Sequence, residues 1–208
     1  MKTKSSGTEW VTNYKITQLQ NYKFLFREQT LKPEFRIGYG WDSHEFKPGI
    51  PLKIGGLTLP HDQGLGGHSD GDVLLHAITD ALLGAIAGPD IGSLFPPSDA
   101  QWKNADSSLF LQEALQRVKS AGYELLNLDS TLILSAPKIG PHAGAIRKHV
   151  AELCGIPADC VGIKAKTPEG MGTENAAIAN VVVLLKRAGL KNTEDLDDVL
   201  TAIGTQRV

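Results

Sequence analysis

Two stretches of the sequence combine carboxylate and imidazole side chains at spacings that suit metal binding. Asp42 and His44 lie two residues apart at the end of an extended run, and the period of two puts both side chains on one face of a strand. Asp72, His76 and Asp80 recur every four residues and form one polar stripe on a helix. Because the rest of that helix is apolar enough to be buried, the stripe needs partners or a metal to offset its desolvation.

Asp42, His44 and His76 together would supply one carboxylate and two imidazoles. This set leaves an open fourth position on a tetrahedral zinc ion, which is typical of a catalytic rather than a structural site. The same set also suits non-haem iron, so the residues alone leave the metal open. Each stretch has a simpler explanation as well, namely a surface Asp-x-His pair and a helix with one hydrated face.

Two further segments favour phosphate chemistry. Glu169 ends a segment of lysines and a threonine at residues 164–169, and residues 135–141 form a turn-rich stretch before a helix. Lysines, hydroxyls and helix N-terminal amides bind anionic oxygens, and a carboxylate can anchor a magnesium ion that bridges two phosphates. Each segment by itself is equally consistent with an ordinary loop.

The hydrophobic pattern predicts the elements that must position these residues. We expect a hairpin at residues 51–60, helices at 72–87, 108–121 and 141–154, and strands at 125–136, 161–166 and 178–186. This order predicts an α+β fold, a mixed β-sheet covered on one face by helices, rather than a doubly wound parallel sheet. We expect a ferredoxin-like topology.

The composition sets limits on function. The chain has 208 residues, 41% of them hydrophobic, and a formal net charge of -2, so it suits one domain with appendages and has no overall basic field for nucleic acid. Its apolar stretches are far shorter than the roughly 20 residues that cross a bilayer, so we expect no membrane partner. Two cysteines are too few for a disulfide framework, which favours a reducing compartment and a packing role for both.

We divide the chain into an N-terminal appendage at 1–34, a catalytic domain at 35–187 and a C-terminal extension at 188–208. The extension contains Leu196, Val199, Leu200 and Ile203 at the spacing of a short amphipathic helix. The composition of the appendage favours a disordered or expression-derived leader over a targeting segment. The expected location is cytoplasmic, or a plastid or other organelle if residues 1–34 are a transit peptide.

Several motifs in this order resemble the 2-C-methyl-D-erythritol 2,4-cyclodiphosphate synthase family. The resemblance runs from about residue 36 to residue 186. It is carried by residues 36–44 (RIGYGWDSH), 54–56 (IGG), 68–72 (HSDGD) with His76, 90–96 (DIGSLFP), 105–107 (ADS) and 136–138 (APK). Several motifs in the right order are far more specific than any one of them alone.

The resemblance implies a role for each matching position. Asp42, His44 and His76 fall on zinc ligands, Glu169 on a magnesium or manganese ligand, and His68 and Thr167 on groups that stabilise the transition state. The substrate contacts implied are Ser69, Asp90, Ile91, Gly92, Phe95, Asp99, Leu134, Ala136, Pro137, Lys138, Ile139, Gly140 and Lys166. Asp70, Asp72 and Asp80 are candidates for orienting the metal ligands.

The resemblance also implies a metal-dependent phosphorus–oxygen lyase of the non-mevalonate isoprenoid pathway. Such an enzyme converts 4-diphosphocytidyl-2-C-methyl-D-erythritol 2-phosphate to the cyclic 2,4-diphosphate and releases CMP, and it works as a homotrimer with active sites between subunits. Two alternatives use the same residues: a zinc-dependent nucleotide-diphosphate hydrolase, and a catalytically weak pathway scaffold.

One segment departs from the family pattern. After Glu169 the family usually has a Gly-Phe-Thr-Gly-Arg-Gly-Glu stretch at the trimer axis, whereas residues 170–176 here are shorter and lack the arginine. Because Glu174 stands close to where that arginine would lie, we expect the trimer to bind isoprenoid diphosphates in its central cavity weakly or not at all. Titration with geranyl or farnesyl diphosphate tests this, and saturable binding at the trimer axis would contradict it.

Overall fold

The computed structural model describes residues 32–189. Their compact unit begins at Glu34. The predicted C-terminal amphipathic helix and almost all of the predicted N-terminal appendage lie outside the described residues. Among the residues described, no helix is long and apolar enough to cross a membrane.

The secondary structure follows the predicted alternation of strands and helices. In chain order it comprises β1 (Phe35–Pro48), β2 (Leu52–Ile54), β3 (Leu57–Leu59), β4 (Gln63–Leu65), α1 (Val73–Ala85), α2 (Ile91–Leu94), α3 (Ser107–Ser120), β5 (Tyr123–Ile133), α4 (Ala143–Cys154), β6 (Val161–Lys166) and β7 (Ala176–Arg187).

The ends of the helices have local causes. Asp72 and Asp106 cap the first turns of α1 and α3 by accepting hydrogen bonds from backbone amides. Gly155 ends α4 with a φ of 67°, a left-handed conformation that suits glycine. Pro141 lies in a short 3₁₀ turn before α4 rather than in the first turn of the helix itself.

The main sheet has the strand order β4-β1-β7-β5-β6, and β2 and β3 form a separate hairpin. Strands β5 and β6 run parallel, whereas the other neighbours in the main sheet run antiparallel. The mixed α+β sheet is therefore confirmed.

The expected ferredoxin-like topology is wrong. The four long strands and the helices α1, α3 and α4 follow the order β-α-α-β-α-β-β, whereas a ferredoxin-like fold follows β-α-β-β-α-β. The difference arises because α4 connects β5 and β6 as direct parallel neighbours at the sheet edge. Strand β7 then returns antiparallel between β1 and β5.

Within residues 32–189, helices cover one face of the sheet and leave the other open. The covered face meets α1 in a core whose side chains are fully or almost fully buried, among them Leu75, Ile78, Leu82, Leu132 and Val181. The open face carries large apolar side chains that are exposed in the single chain, namely Phe35 (49%), Ile37 (71%), Tyr39 (60%), Trp41 (50%) and Val182 (45%).

Strand β1 and helix α1 touch backbone to backbone. A Cβ atom built on Gly38 would lie 1.8 Å from the Ala81 carbonyl oxygen, and one built on Gly40 would lie 1.9 Å from the Ala77 carbonyl oxygen. Real Cβ atoms do not approach so closely, so only glycine permits this contact at the two positions. The contact fixes the distance between the strand that carries Asp42 and the helix that carries His76.

Asp72 joins α1 to the hairpin and has a different role from the one predicted. Its side chain is fully buried and accepts hydrogen bonds from the amides of Gly55, Gly56, Leu74 and Leu75, at 2.6–3.2 Å. Burial raises the pKa of Asp72, and these amide bonds oppose that effect. Asp72 is thus a helix cap and hairpin anchor rather than a hydrogen-bonding partner of the His76 ring.

Replacing Gly40 with alanine should destabilise the fold. The added methyl group would collide with the α1 backbone, and overpacking of this kind costs about 1–3 kcal/mol of unfolding free energy, occasionally more. Urea unfolding measures the effect. The matched control is Gly84→Ala, because a Cβ there would meet only the Tyr39 carbonyl oxygen at 3.8 Å. That variant should gain about 0.5–1 kcal/mol, since alanine is the better helix former. Equal stability of the two variants would contradict the role of the contact.

Candidate metal centre and adjoining clefts

Three side-chain atoms from two elements converge beside the sheet. Asp42 Oδ2 lies 2.9 Å from His44 Nε2 and 2.9 Å from His76 Nδ1, and the two nitrogens are 3.0 Å apart. Strand β1 contributes Asp42 and His44 on one face, as the period of two predicts, but it continues to Pro48 instead of ending there. Helix α1 contributes His76 one turn after its cap.

The hydrogen bonds on the far side of each ring show which nitrogens face the centre. His44 Nδ1 lies 2.7 Å from the Gly66 carbonyl oxygen. A carbonyl only accepts, so Nδ1 carries a proton and the Nε2 of a neutral ring presents a lone pair. His76 Nε2 contacts the hydroxyls of Ser69 and Ser107 at 2.9 and 2.8 Å, which leaves Nδ1 facing Asp42.

The electrostatics of Asp42, His44 and His76 favour a positive charge between their side chains. Burial alone would raise the pKa of Asp42, but hydrogen bonds to His44 and His76 and their charges outweigh it and hold that pKa well below its ordinary value. Burial alone would lower the pKa of His44, but its bonds to Asp42 and Gly66 and the charge of Asp42 raise it. A divalent cation satisfies the same preference and competes with protons for these atoms. The three residues therefore fit a metal ion, and they form a group that could hold one.

A cleft of about 190 Å³ opens next to the three donor atoms. Phe95, Trp102 and Phe110 form one of its walls, with ring centroids 4.4–5.7 Å apart, and the Phe110 ring lies 6.1 Å from the His76 ring. The cleft is also lined by the predicted residues His68, Ser69, Ile91 and Gly92. It combines an apolar wall with polar groups at one end.

Sequence reasoning missed Trp102 and Phe110, which also line this cleft. Phe110 repeats with the apolar face of α3, so its pattern is that of a core residue. Asp99, by contrast, was predicted as a contact. It caps the 3₁₀ turn that holds Trp102 and does not line the cleft.

Asp80 was predicted to orient the metal ligands, but its hydrogen bond instead positions a wall of the cleft. Its Oδ1 accepts a hydrogen bond of 2.7 Å from the Ile91 amide, and burial raises the pKa of its carboxyl group. Asp90 then caps α2 by accepting from the Ser93 amide at 2.7 Å. The two aspartates thus fix the short helix that carries Ile91 and Gly92.

The loop that carries His68, Ser69 and Asp70 is held from two sides. The Asn104 amide donates to the His68 carbonyl at 2.7 Å, and the Asp70 amide donates to the Ala105 carbonyl at 3.0 Å. The Asp70 carboxylate accepts a short hydrogen bond from Ser107 and pairs with Lys53 at 3.0 Å. Asp70 therefore reaches the His76 ring through Ser107.

A second cleft, of about 360 Å³, gathers most of the other predicted residues. It is lined by Leu134, Ser135, Pro137, Lys138, Ile139, Gly140, Ala165, Lys166, Thr167 and Glu169. Strands β5 and β6 are parallel neighbours, so the segments that follow them leave the same edge of the sheet. Ala136, predicted as a contact, does not line this cleft.

Glu169 adopts an unusual backbone conformation in the second cleft. Its φ is 53°, which is uncommon for a residue with a side chain. Its carboxylate accepts a short hydrogen bond from the Thr167 hydroxyl. The turn thus holds a carboxylate and a hydroxyl together at the cleft surface.

Among the residues that the structure describes, the two clefts share no lining residue. His68 lies in the first and Thr167 in the second. One described chain therefore holds the predicted zinc ligands in one cleft, and the predicted nucleotide-binding segment with the predicted magnesium ligand Glu169 in another.

Comparison with known proteins identifies the family to which the chain belongs. The YgbB family model matches residues 35–186. A relative from Koribacter versatilis (strain Ellin345), a 2-C-methyl-D-erythritol 2,4-cyclodiphosphate synthase, is 62% identical over 152 residues, which cover 73% of this chain and 98% of the relative. A chloroplastic enzyme of the same name from Oryza sativa subsp. japonica is 52% identical over 156 residues, which cover 74% and 70% of the two chains.

Solved structures agree with this assignment. A structure of 2C-methyl-D-erythritol-2,4-cyclodiphosphate synthase is 45% identical to this chain and has a TM-score of 0.69. The match covers 73% of this chain and 100% of the solved chain. A CDP-bound form has the same TM-score at 44% identity, with the same coverage of both chains. This chain therefore belongs to the YgbB family, that of the 2-C-methyl-D-erythritol 2,4-cyclodiphosphate synthases.

Proposed function

We propose that this protein closes the cyclic diphosphate of 2-C-methyl-D-erythritol in isoprenoid biosynthesis. The substrate is 4-diphosphocytidyl-2-C-methyl-D-erythritol 2-phosphate, and CMP is the leaving group. The observation that carries the proposal is the convergence of Asp42, His44 and His76 at distances of 2.9–3.0 Å beside an open cleft. Relatives at 62% and 52% identity bear the name of this activity.

Asp42, His44 and His76 would hold a zinc ion, and Glu169 would bind magnesium or manganese together with the diphosphate. When bound, the metals supply Lewis-acid polarisation and neutralise phosphate charge. The donor set of one carboxylate and two neutral imidazoles suits zinc, and a single carboxylate beside phosphate oxygens suits magnesium.

The reaction forms one phosphorus–oxygen bond and breaks another. An oxygen of the 2-phosphate bonds to the β-phosphorus, and the bond from that phosphorus to the bridging oxygen breaks, so that CMP leaves with the electron pair. Because the 2-phosphate is largely dianionic at neutral pH, with a second pKa of about 6, no strong base is required. The main task of the protein is to bring nucleophile and phosphorus together, which can remove about 7–11 kcal/mol from the barrier.

The two clefts divide this task. The first cleft would hold the methylerythritol part between Ile91, Gly92 and the Phe95 ring, with the His68 and Ser69 loop over the phosphates. The second would hold the cytidine part against residues 134–140. Donors at His68 and Thr167 would stabilise the charge that develops on the phosphate oxygens.

We propose that the first cleft of one subunit is completed by the second cleft of a neighbour in a homotrimer. Two observations support this assembly. Residues assigned to one reaction are split between clefts that share no lining residue in a single chain. The open sheet face also presents a contiguous row of large apolar side chains on β1, and such exposed patches mark protein interfaces.

Phosphorus NMR of the purified protein with the diphosphocytidyl substrate, zinc and magnesium tests the activity. We expect a cyclic diphosphate and CMP. In His76→Ala, turnover should fall by more than about 100-fold, because even groups that merely orient a metal ligand are worth about 10–100-fold. The control is His149→Ala, whose ring lies against Gly56 and lines neither cleft.

Other outcomes would select an alternative. An acyclic phosphate product would identify a zinc-dependent hydrolase. Bound zinc without turnover in the wild-type protein would favour the pathway scaffold.

Analytical ultracentrifugation tests the assembly. Ile37 is 71% exposed in the single chain, so Ile37→Glu should cost the monomer little, yet three copies on an interface would repel one another. We expect the wild-type protein to sediment as three 22.3 kDa chains and the variant to dissociate. Leu109→Glu, at an apolar position that is 50% exposed on α3, should remain trimeric. A monomeric wild-type protein would refute the trimer, and a trimeric Ile37→Glu would show that this face is not the interface.

A further inference from the structure

Ser107 lies between a predicted metal ligand and a partly buried ion pair. It is the first residue of α3 and is completely buried. Its Oγ is 2.8 Å from His76 Nε2 on one side and donates a short hydrogen bond to Asp70 Oδ1 on the other. The hydroxyl therefore connects the ring of His76 to the carboxylate of Asp70.

The charges of Lys53 and Asp70 set the direction of the hydrogen bonds that connect Asp70, Ser107 and His76. Lys53 Nζ lies 3.0 Å from Asp70 Oδ2 and stabilises the ionised carboxylate, which can only accept hydrogen bonds. The single hydrogen of the Ser107 hydroxyl is then committed to Asp70. The same oxygen can only accept from His76, so the proton of a neutral His76 ring is placed on Nε2.

This placement determines what the opposite nitrogen can do. A neutral imidazole with its proton on Nε2 has its lone pair on Nδ1, and Nδ1 is the atom that faces Asp42 and His44. The reversed tautomer would direct an N–H at Asp42 and could not bind a cation there. The choice of tautomer therefore decides whether the three donor atoms can share one ion.

Ser69 also contacts His76 Nε2, at 2.9 Å, but it is placed differently. It is only partly buried and lines the cleft, so its hydroxyl can turn toward a bound ligand. Ser107 has no such freedom, because it is buried and bonded to Asp70.

We propose that Ser107 is a positioning residue for the metal centre, acting as a hydrogen-bond acceptor that fixes the tautomer and orientation of His76. Asp70 and Lys53 act through it by holding the direction of its hydroxyl. The inference rests on the proposed metal centre. It assigns to Ser107, Asp70 and Lys53 the support that a metal-bound histidine requires on its second nitrogen.

Zinc binding without substrate provides the first test. In Ser107→Ala, the Kd for zinc, measured by competition with a chromophoric chelator, should rise by about 10–100-fold, the usual effect of removing such a partner. The matched control is Ser108→Ala. It removes a hydroxyl from the same helical turn, next to the Asp106 cap, and should keep the wild-type Kd.

Proton NMR of the zinc-loaded protein provides a readout that a purely structural role would not move. The Nε2–H of His76 should exchange slowly with water in the wild-type protein and in Ser108→Ala. In Ser107→Ala its exchange should be faster and its resonance should shift upfield, since the remaining described acceptor is the partly exposed Ser69.

A second variant keeps the test decisive if Ser107→Ala fails to fold. Asp70→Asn retains the Ser107 side chain, but the new amide can donate to its oxygen and compete with His76. Zinc affinity should fall and Nε2–H exchange should accelerate in this variant too. Folded variants, judged by circular dichroism, that keep the wild-type Kd and exchange rate would overturn the inference. Absence of zinc binding in the wild-type protein would refute the metal centre itself.

Discussion

Helix α1 rests on strand β1 at two glycines, and the arrangement of the first cleft depends on that contact. No side chain separates the backbones at Gly38 and Gly40, where a Cβ would lie within 2 Å of helix carbonyl oxygens. The strand that carries Asp42 and His44 is thereby held as close as possible to the helix that carries His76. A metal centre tolerates errors of only a few tenths of an ångström in its ligands, so a backbone contact is a suitable way to fix their distance.

Around this contact, two aspartates that are buried or partly buried each hold more than one element in place. Asp72 accepts from amides of both the hairpin and α1, and Asp70 connects Lys53 of β2 with Ser107 of α3. An unpaired buried polar group would cost about 1–3 kcal/mol, so these bonds constrain the elements to one arrangement. The same groups that order the fold also surround His76, and stability and ligand geometry therefore have a common physical origin.

Local periodicity was sufficient to predict the three long helices, the hairpin and the alignment of Asp42 with His44, because these features depend on neighbours in the sequence. It failed where the answer depends on distant partners. The topology required knowing that β5 pairs in parallel with β6. Asp72 was assigned to the polar stripe of its helix, and Ser107 entered through a family motif; the sequence does not reveal that Asp72 anchors the hairpin while Ser107 contacts His76. Most residues assigned by family resemblance to the metals, the transition state or the substrate line one of the two clefts, whereas Asp90, Asp99 and Ala136 line neither.

The separation of the two clefts within one chain has a genetic consequence under the proposed trimer. A subunit with a damaged first cleft still carries an intact second cleft, and the reverse holds for a subunit damaged at the second. In a cell that expresses both defective alleles, mixed assemblies would contain some junctions where the two intact halves meet. Two recessive lesions would then complement each other when they affect different clefts and fail to complement when they affect the same one.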